Sequence, residues 1–208
     1  MVYTEDLLET PFIKKLLLSL LIGIAVLGCA NSYSNKVHAD IASSVVRLHV
    51  IANSDSEADQ NLKLSVRDGV VDFLSDKLEN AKSVSETKRI INENLPGIKK
   101  AAQNVISDKG CNYSVNCMTG VFDFPTKSYG ASKLPAGEYY ALRVVIGSGE
   151  GKNWWCVLYP QLCFEKFGDT SRQKLKNVLT DEEYNIVTNS DGSIKYKFKF
   201  KLLELLGK

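Results

Sequence analysis

Histidine is almost missing from this 208-residue chain, which has His38 and His49 and no other. His38 sits at the end of a leader-like stretch, so His49 is the one imidazole of the body. A Ser-His-Asp or Cys-His arrangement would have to be assembled around it, and no nucleophile stands near it in sequence. A lone histidine on a strand reads as structural. Cys-x-x-C is absent, which removes the motif of a thioredoxin-like redox role. No Cys or His pair has the close spacing of a zinc site. The stretch Gly147-Ser148-Gly149-Glu150-Gly151 lacks the Gly-Lys-Ser/Thr ending of a phosphate-binding loop and leads into no helix. It reads as a tight turn that uses glycine's access to positive φ. Asp55-x-Glu57-x-Asp59 opens like a calcium loop but lacks the following glycine and the distal glutamate. These absences leave no metal or cofactor to expect.

Excess charge of one sign is also lacking. Lys and Arg total 26 against 24 Asp and Glu, a net of +2. Removing residues 1–39 takes away Lys14, Lys15 and Lys36 with Glu5, Asp6 and Glu9, so the balance becomes 23 − 21, again +2. A nucleic-acid partner would ask for a concentrated basic face, and none is present. There is no internal repeat and no low-complexity tract.

What is present begins with the leader. Lys14 and Lys15 precede an apolar run, Leu16 to Leu27, broken by Ser19 and followed by polar residues to His38. A positive start, a short apolar run and a small residue at the end make a secretory signal peptide. The run is short for a membrane span, which needs roughly 20 apolar residues. Val37-His38-Ala39 suits cleavage between Ala39 and Asp40, whereas Val26-Leu27-Gly28-Cys29 looks like a lipobox that would leave Cys29 lipidated. A retained anchor is the third reading. All three place the body outside the cytoplasm, and residues 40–208 are expected to form one extracytoplasmic domain.

Cysteine usage agrees. Cys111, Cys117, Cys156 and Cys163 are an even set in an exported chain, so disulfides are permitted. The spacings favour Cys111–Cys117 and Cys156–Cys163 among the three possible connectivities of four cysteines.

Val45 to Ile51 is rich in β-branched residues and reads as a strand. Ser56-x-x-Asp59 is close to a capping box. Leu62, Val66, Val70, Phe73, Leu74 and Leu78 then form one stripe on a helix over about 59–78. A second helical pattern starts near Ser85, Leu95-Pro96-Gly97 interrupts it, and a third runs from Ile98 to Lys109-Gly110. Strand texture follows at 113–124, 139–146 and 154–158, and again where Ile194, Tyr196, Phe198 and Phe200 alternate with lysines. Residues 165–193 are polar and without a clear pattern. A strand, two to three helices and a mainly antiparallel set of strands predict a single α+β domain. Trp154 and Trp155 must face opposite sides of their strand, so one can pack inward while the other anchors a protein partner.

The residues also resemble a known family. Arg47-Leu48-His49-Val50-Ile51-Ala52-Asn53-Ser54-Asp55-Ser56, then Asp59-Gln60-x-Leu62-Lys63 and Arg67-Asp68, look like the N-terminal signature of stage II sporulation protein R. Phe124-Pro125-Thr126-Lys127-x-Tyr129-Gly130 and Leu134-Pro135-Ala136-Gly137-Glu138-Tyr139 follow in order. Gly149-Glu150-Gly151-x-Asn153-Trp154-Trp155-Cys156-Val157-Leu158-Tyr159-Pro160-x-Leu162-Cys163-Phe164 completes the likeness. It covers about residues 45–165, and the region after Phe167 carries less of it.

The resemblance implies a secreted signalling protein that is not an enzyme. It would pass from the forespore into the space between the two cell membranes. There it would activate the extracytoplasmic part of the membrane-embedded aspartic protease that processes pro-sigma-E. Contact with the membrane would come only through an uncleaved signal or a lipid. The partner-binding residues expected are Asn53, Asp55, Lys63 and Arg67 beside the first helix, with Trp154 or Trp155 as anchor. The rival readings are a secreted hydrolase built on His49 or the acid cluster, and a structural envelope lipoprotein held through Cys29.

Overall fold

The computed structural model describes residues 11–130, 132–163 and 169–188. Among these, residues 11–38 belong to one compact unit and a second begins at Ala39. The first consists of helix α1 (Pro11–Ser43), whose last residues enter the second unit. Leu, Ile and Ala dominate its apolar part and favour a helix there. A strand is expected to come first in the body, but among the described residues the apolar helix α1 precedes it. At 33 residues α1 spans about 50 Å at the helical rise, well beyond the stretch from Leu16 to Leu27. By length and composition it is enough to cross a membrane, and a signal sequence meets the same test.

The body runs β1 (Val46–Ile51), α2 (Glu57–Leu78), α3 (Val84–Glu93), α4 (Leu95–Asp108), β2 (Val115–Phe124), β3 (Lys127–Tyr129), β4 (Ser132–Leu134), β5 (Gly137–Ile146), β6 (Asn153–Tyr159), α5 (Asp169–Lys176) and α6 (Asp181–Thr188). The main sheet has the order β2-β5-β1-β6, and β3 and β4 form a separate hairpin. β2 with β5 and β6 with β1 are antiparallel, while β1 and β5 are parallel. The parallel pair is possible because α2 to α4 supply the long crossover that such strands require. The α+β expectation therefore holds, with one parallel contact at the centre.

Local chemistry explains the helix boundaries. The Ser56 hydroxyl caps α2 by accepting the Asp59 N–H at 3.2 Å. α3 starts earlier than Ser85: Ser83 is its cap, accepting from the Glu86 N–H at 3.1 Å. Pro96 interrupts the helical run only in the sense that a new helix begins there, since its missing N–H is no loss in a first turn. Gly110, at φ +71°, ends α4. The polar residues without a clear pattern include the short helices α5 and α6, of which α6 packs on β4. The lysine-faced strand expected after Ile194 lies outside the described residues.

The core sits between the helices and one face of the sheet. Val46, Leu48 and Val50 of β1 and Leu142, Val144 and Ile146 of β5 meet Leu62, Val66, Val70 and Leu74 of α2. Ile91, Ile98, Ala102 and Ile106 close the layer from α3 and α4. Because side chains alternate along a strand, Arg47, His49, Ala141, Arg143 and Trp155 are left to the opposite face.

Candidate functional site

Four of the expected binding residues gather where β1 enters α2, but most of their polar atoms hold the protein to itself. Asn53 Nδ2 donates to Asp59 Oδ2 at 2.9 Å, and its Oδ1 accepts the Ser148 N–H at 3.0 Å. The Asn53 carbonyl accepts from Glu150 N at 3.2 Å and from the Ser148 hydroxyl at 2.8 Å. Asp55 Oδ1 accepts the Lys152 N–H at 2.7 Å. Lys63 is buried and donates to Gln60 Oε1 at 2.5 Å and to the Lys152 carbonyl at 3.1 Å. The turn from Gly147 to Lys152 is thus zipped onto residues 52–55. Gly147 sits at φ +57°, where a Cβ would come within 2.1 Å of Asn53 Oδ1.

The electrostatics follow this wiring. Hydrogen bonds from Ser54 and then Asn53 hold the Asp59 carboxyl below its ordinary range, against the opposing effect of burial. Burial pulls Lys63 down from the ordinary lysine value, with Asp55 working the other way. Arg67 pairs with Asp68 at 2.6 Å, and its guanidinium carbon stands 4.4 Å from the centroid of Trp154. Trp154 packs against the core on the helix side, and its buried indole N–H has no partner. The two tryptophans do face opposite ways, and Trp154 is the inward one.

The opposite face carries His49 and Trp155 together with two arginines, Arg47 and Arg143, to which the sequence alone assigns no role. Arg47 is fully buried. Its Nη2 donates to the Tyr129 hydroxyl, while Nε and Nη1 have no partner. Its guanidinium carbon lies 4.1 Å from the Phe124 centroid and 4.7 Å from that of Tyr139. The rings supply a favourable quadrupole in place of a carboxylate. Burial lowers the Arg47 pKa, and burial also pushes the Tyr139 phenol up to about 12.

His49 is the hinge of the same face. Its ring stacks on Trp155 with centroids 3.8 Å apart. Its Nε2–H donates to Asn153 Oδ1 at 2.7 Å, and its Nδ1 accepts from Arg143 Nε at 3.2 Å. Arg143 cannot accept, so Nδ1 must carry the lone pair, and the tautomer is fixed. Burial lowers the imidazole pKa to about 4, with Arg143 and Arg47 adding to the effect. Both ring nitrogens are occupied and the ring is neutral near pH 7, so it is not poised as a general base. Arg143 in turn lies over Phe122, 3.8 Å from its centroid. Among the described residues no group of three or more His, Cys, Asp or Glu is placed to hold a metal ion.

The cysteines divide unequally. Cys156 and Cys163 form a disulfide with Cα atoms 5.8 Å apart. Cys111 and Cys117, the other expected bridge, are free thiols. Cys111 ends α4 through its N–H to Ile106, while Cys117 faces the core on β2. No turn lies between them, and Val115 and Cys117 are already paired with Ile146 and Val144 in the sheet.

Arginines in the middle of β1 and β5 were the sequence signal for this face. Arg47 and His49 alternate with buried aliphatics, and Arg143 interrupts the strongest strand. What the chain could not reveal was that His49 and Arg143 are register partners.

The architecture defines an α+β domain with one helix-covered sheet face, following an apolar helix compatible with a signal or an anchor. The family model described as stage II sporulation protein R matches residues 42–169. Stage II sporulation protein R of Bacillus subtilis (strain 168) is 39% identical over 158 residues, which cover 76% of this chain and 70% of that protein. The chain belongs to the stage II sporulation protein R family, which gives it a sporulation role. No solved structure matches it.

Proposed function

We propose that this chain is an exported sporulation signal that switches on the membrane-embedded peptidase processing pro-sigma-E. The observation that carries the reading is the family match over residues 42–169, which spans most of the described body. The leader-like α1 and the Cys156–Cys163 disulfide support an extracytoplasmic protein. Against a hydrolase stands the state of His49, neutral and with both nitrogens engaged.

As a ligand, the folded domain acts by binding the extracytoplasmic part of the protease more tightly in its active, dimeric form than in its resting form. Only that difference in affinity moves the equilibrium. Release follows cleavage after Ala39, so the exported chain should begin at Asp40. Mass spectrometry of the exported protein reads this directly, and a fatty-acid label on Cys29 would replace that route with lipid anchoring.

The test is reconstitution in a non-sporulating host. This chain, the membrane protease and pro-sigma-E are expressed together, and cleavage is followed by immunoblot with and without the leader of this chain. Processing that needs export of this chain is the expected result. An exported, disulfide-bonded protein that leaves pro-sigma-E uncut would overturn the reading.

A further inference from the structure

The second face of the sheet is unevenly covered. Arg47, Tyr139, Ala141 and Val157 are buried there, whereas Met118, Phe122, Arg143 and Trp155 remain part-exposed. We propose that this uncovered half is the surface through which the chain docks on its partner, with Arg143 receiving a carboxylate of that partner on its two terminal nitrogens. The inference rests on the reading of the chain as an activating ligand and names the surface it uses.

Arg143 is held ready before any partner arrives. Phe122 supports the guanidinium plane at 3.8 Å, and His49 Nδ1 takes its Nε–H at 3.2 Å. His49 is itself fixed by the Trp155 stack at 3.8 Å and the Asn153 bond at 2.7 Å. With Nε occupied, the end-on pair of terminal nitrogens remains, and no ion pair among the described residues takes them up. That pair matches a carboxylate through two parallel hydrogen bonds. A fork fixed in advance loses less freedom on binding than a mobile one.

Charge selects the occupant. No position alternating onto this face from β1, β2, β5 or β6 is Asp or Glu. The patch therefore offers a cation with aromatic and apolar neighbours and no acid at these strand positions to compete for it. Its complement is an acidic side chain flanked by apolar ones on a protein surface. Arg143 and Trp155 flank His49 on this face, and arginine and tryptophan are residues enriched in binding hot spots.

The experiment uses the full chain in the reconstituted processing system. Arg143→Lys keeps the charge and loses the fork, Arg143→Gln loses both, and Arg143→Glu reverses the sign. Export and the 156–163 bridge are checked on a non-reducing gel. At equal exported amounts, the Lys and Gln variants are expected to slow processing by about tenfold or more, the loss expected of a hot-spot residue. Arg143→Glu should abolish it, and selection for recovery should return an Asp or Glu changed to Lys or Arg in the extracytoplasmic part of the protease. Should an Arg143 variant fail to fold, Met118→Arg places bulk and like charge in the same patch and is expected to block processing. Wild-type rates in the Lys and Gln variants, or in Met118→Arg where those do not fold, would overturn this surface and leave the activating function standing. No processing with the wild-type chain would overturn the function and this surface with it.

Discussion

His49 and Arg143 are direct partners in the parallel register of β1 and β5, and the arginine donates its Nε–H to the imidazole Nδ1 at 3.2 Å. A histidine that receives a hydrogen bond from a cation must stay neutral. Burial of the ring, with this contact and Arg47 adding to it, links the stability of the sheet to pH, and no ion pair among the described residues takes up the terminal nitrogens of Arg143.

The pH dependence has a definite sign. His49 has a folded pKa near 4, below the ordinary 6.5, so the unfolded chain binds more protons between those values. The stabilisation is complete above about pH 6.5 and is lost as pH falls toward 4, amounting to about 3 kcal/mol. Urea unfolding at pH 7 and pH 4.5 should show the loss, and His49→Gln should flatten the slope in that window. An unchanged slope would mean that His49 is not the titrating group.

Arg47 offers a second test. Each of its two unpartnered nitrogens, Nε and Nη1, costs about 1–3 kcal/mol in a buried site, against about 2 kcal/mol gained from the surrounding rings. Arg47→Met, similar in length and without polar atoms, is therefore expected within about 1 kcal/mol of wild type or more stable. Arg47→Ala should lose about 2–4 kcal/mol through the cavity it leaves. Chemical denaturation of the two variants measures both, and a large loss in the Met variant would show that the charge itself is needed.

Gly147 and Gly110 separate backbone strain from collision. Both have positive φ, at +57° and +71°, but a Cβ at Gly110 meets nothing within 4 Å while one at Gly147 meets Asn53 Oδ1 at 2.1 Å. Gly110→Ala should cost about 1 kcal/mol. Gly147→Ala should cost about 3 kcal/mol, because the turn must also leave Asn53. Hydrogen exchange should show the amides of Ser148 and Glu150 losing protection in the second variant and keeping it in the first.

Thiol chemistry distinguishes the four body cysteines. Cys117 is buried and its thiol is pushed up to about 11, so alkylation should reach it only on unfolding, whereas the part-exposed Cys111 should react in the native protein. Without reductant, Cys156 and Cys163 should stay unlabelled. Reduction opens a loop with a sequence separation of 7 and should lower stability by about 2–3 kcal/mol. Peptide mapping after timed alkylation reads each site, and a 111–117 cross-linked peptide would contradict the structure.

Much of the fold was legible because its causes are local. The stripe from Leu62 to Leu78 marks α2, and the run from Tyr139 to Ile146, rich in aromatic and β-branched residues around Arg143, marks β5. The cap of α3 was misplaced by two residues because Ser83 and Ser85 offer the same hydroxyl, and only the fold decides which residue leaves the helix. The sequence marks Asn53, Asp55 and Lys63 as a polar cluster, but not the internal hydrogen bonds that take up most of their polar atoms. The Gly147–Lys152 turn that consumes those polar groups is nearly a hundred residues away in the chain. Arg47 and Arg143 went unread because a charge on a strand is exposed by default, and nothing local marks a strand whose second face is half covered.

The sequence by itself determined the apolar N-terminal helix, the α+β composition, the division of the two tryptophans between faces and the resemblance to its family. Each follows from periods of two or three to four residues, or from contiguous motifs. Tertiary structure decided which strand lies beside which, and so which side chains share a surface. Alternation tells the face of a residue but not its neighbour across the sheet. Only the β1–β5 pairing brought His49 to Arg143, and only the fold left Cys111 and Cys117 as free thiols.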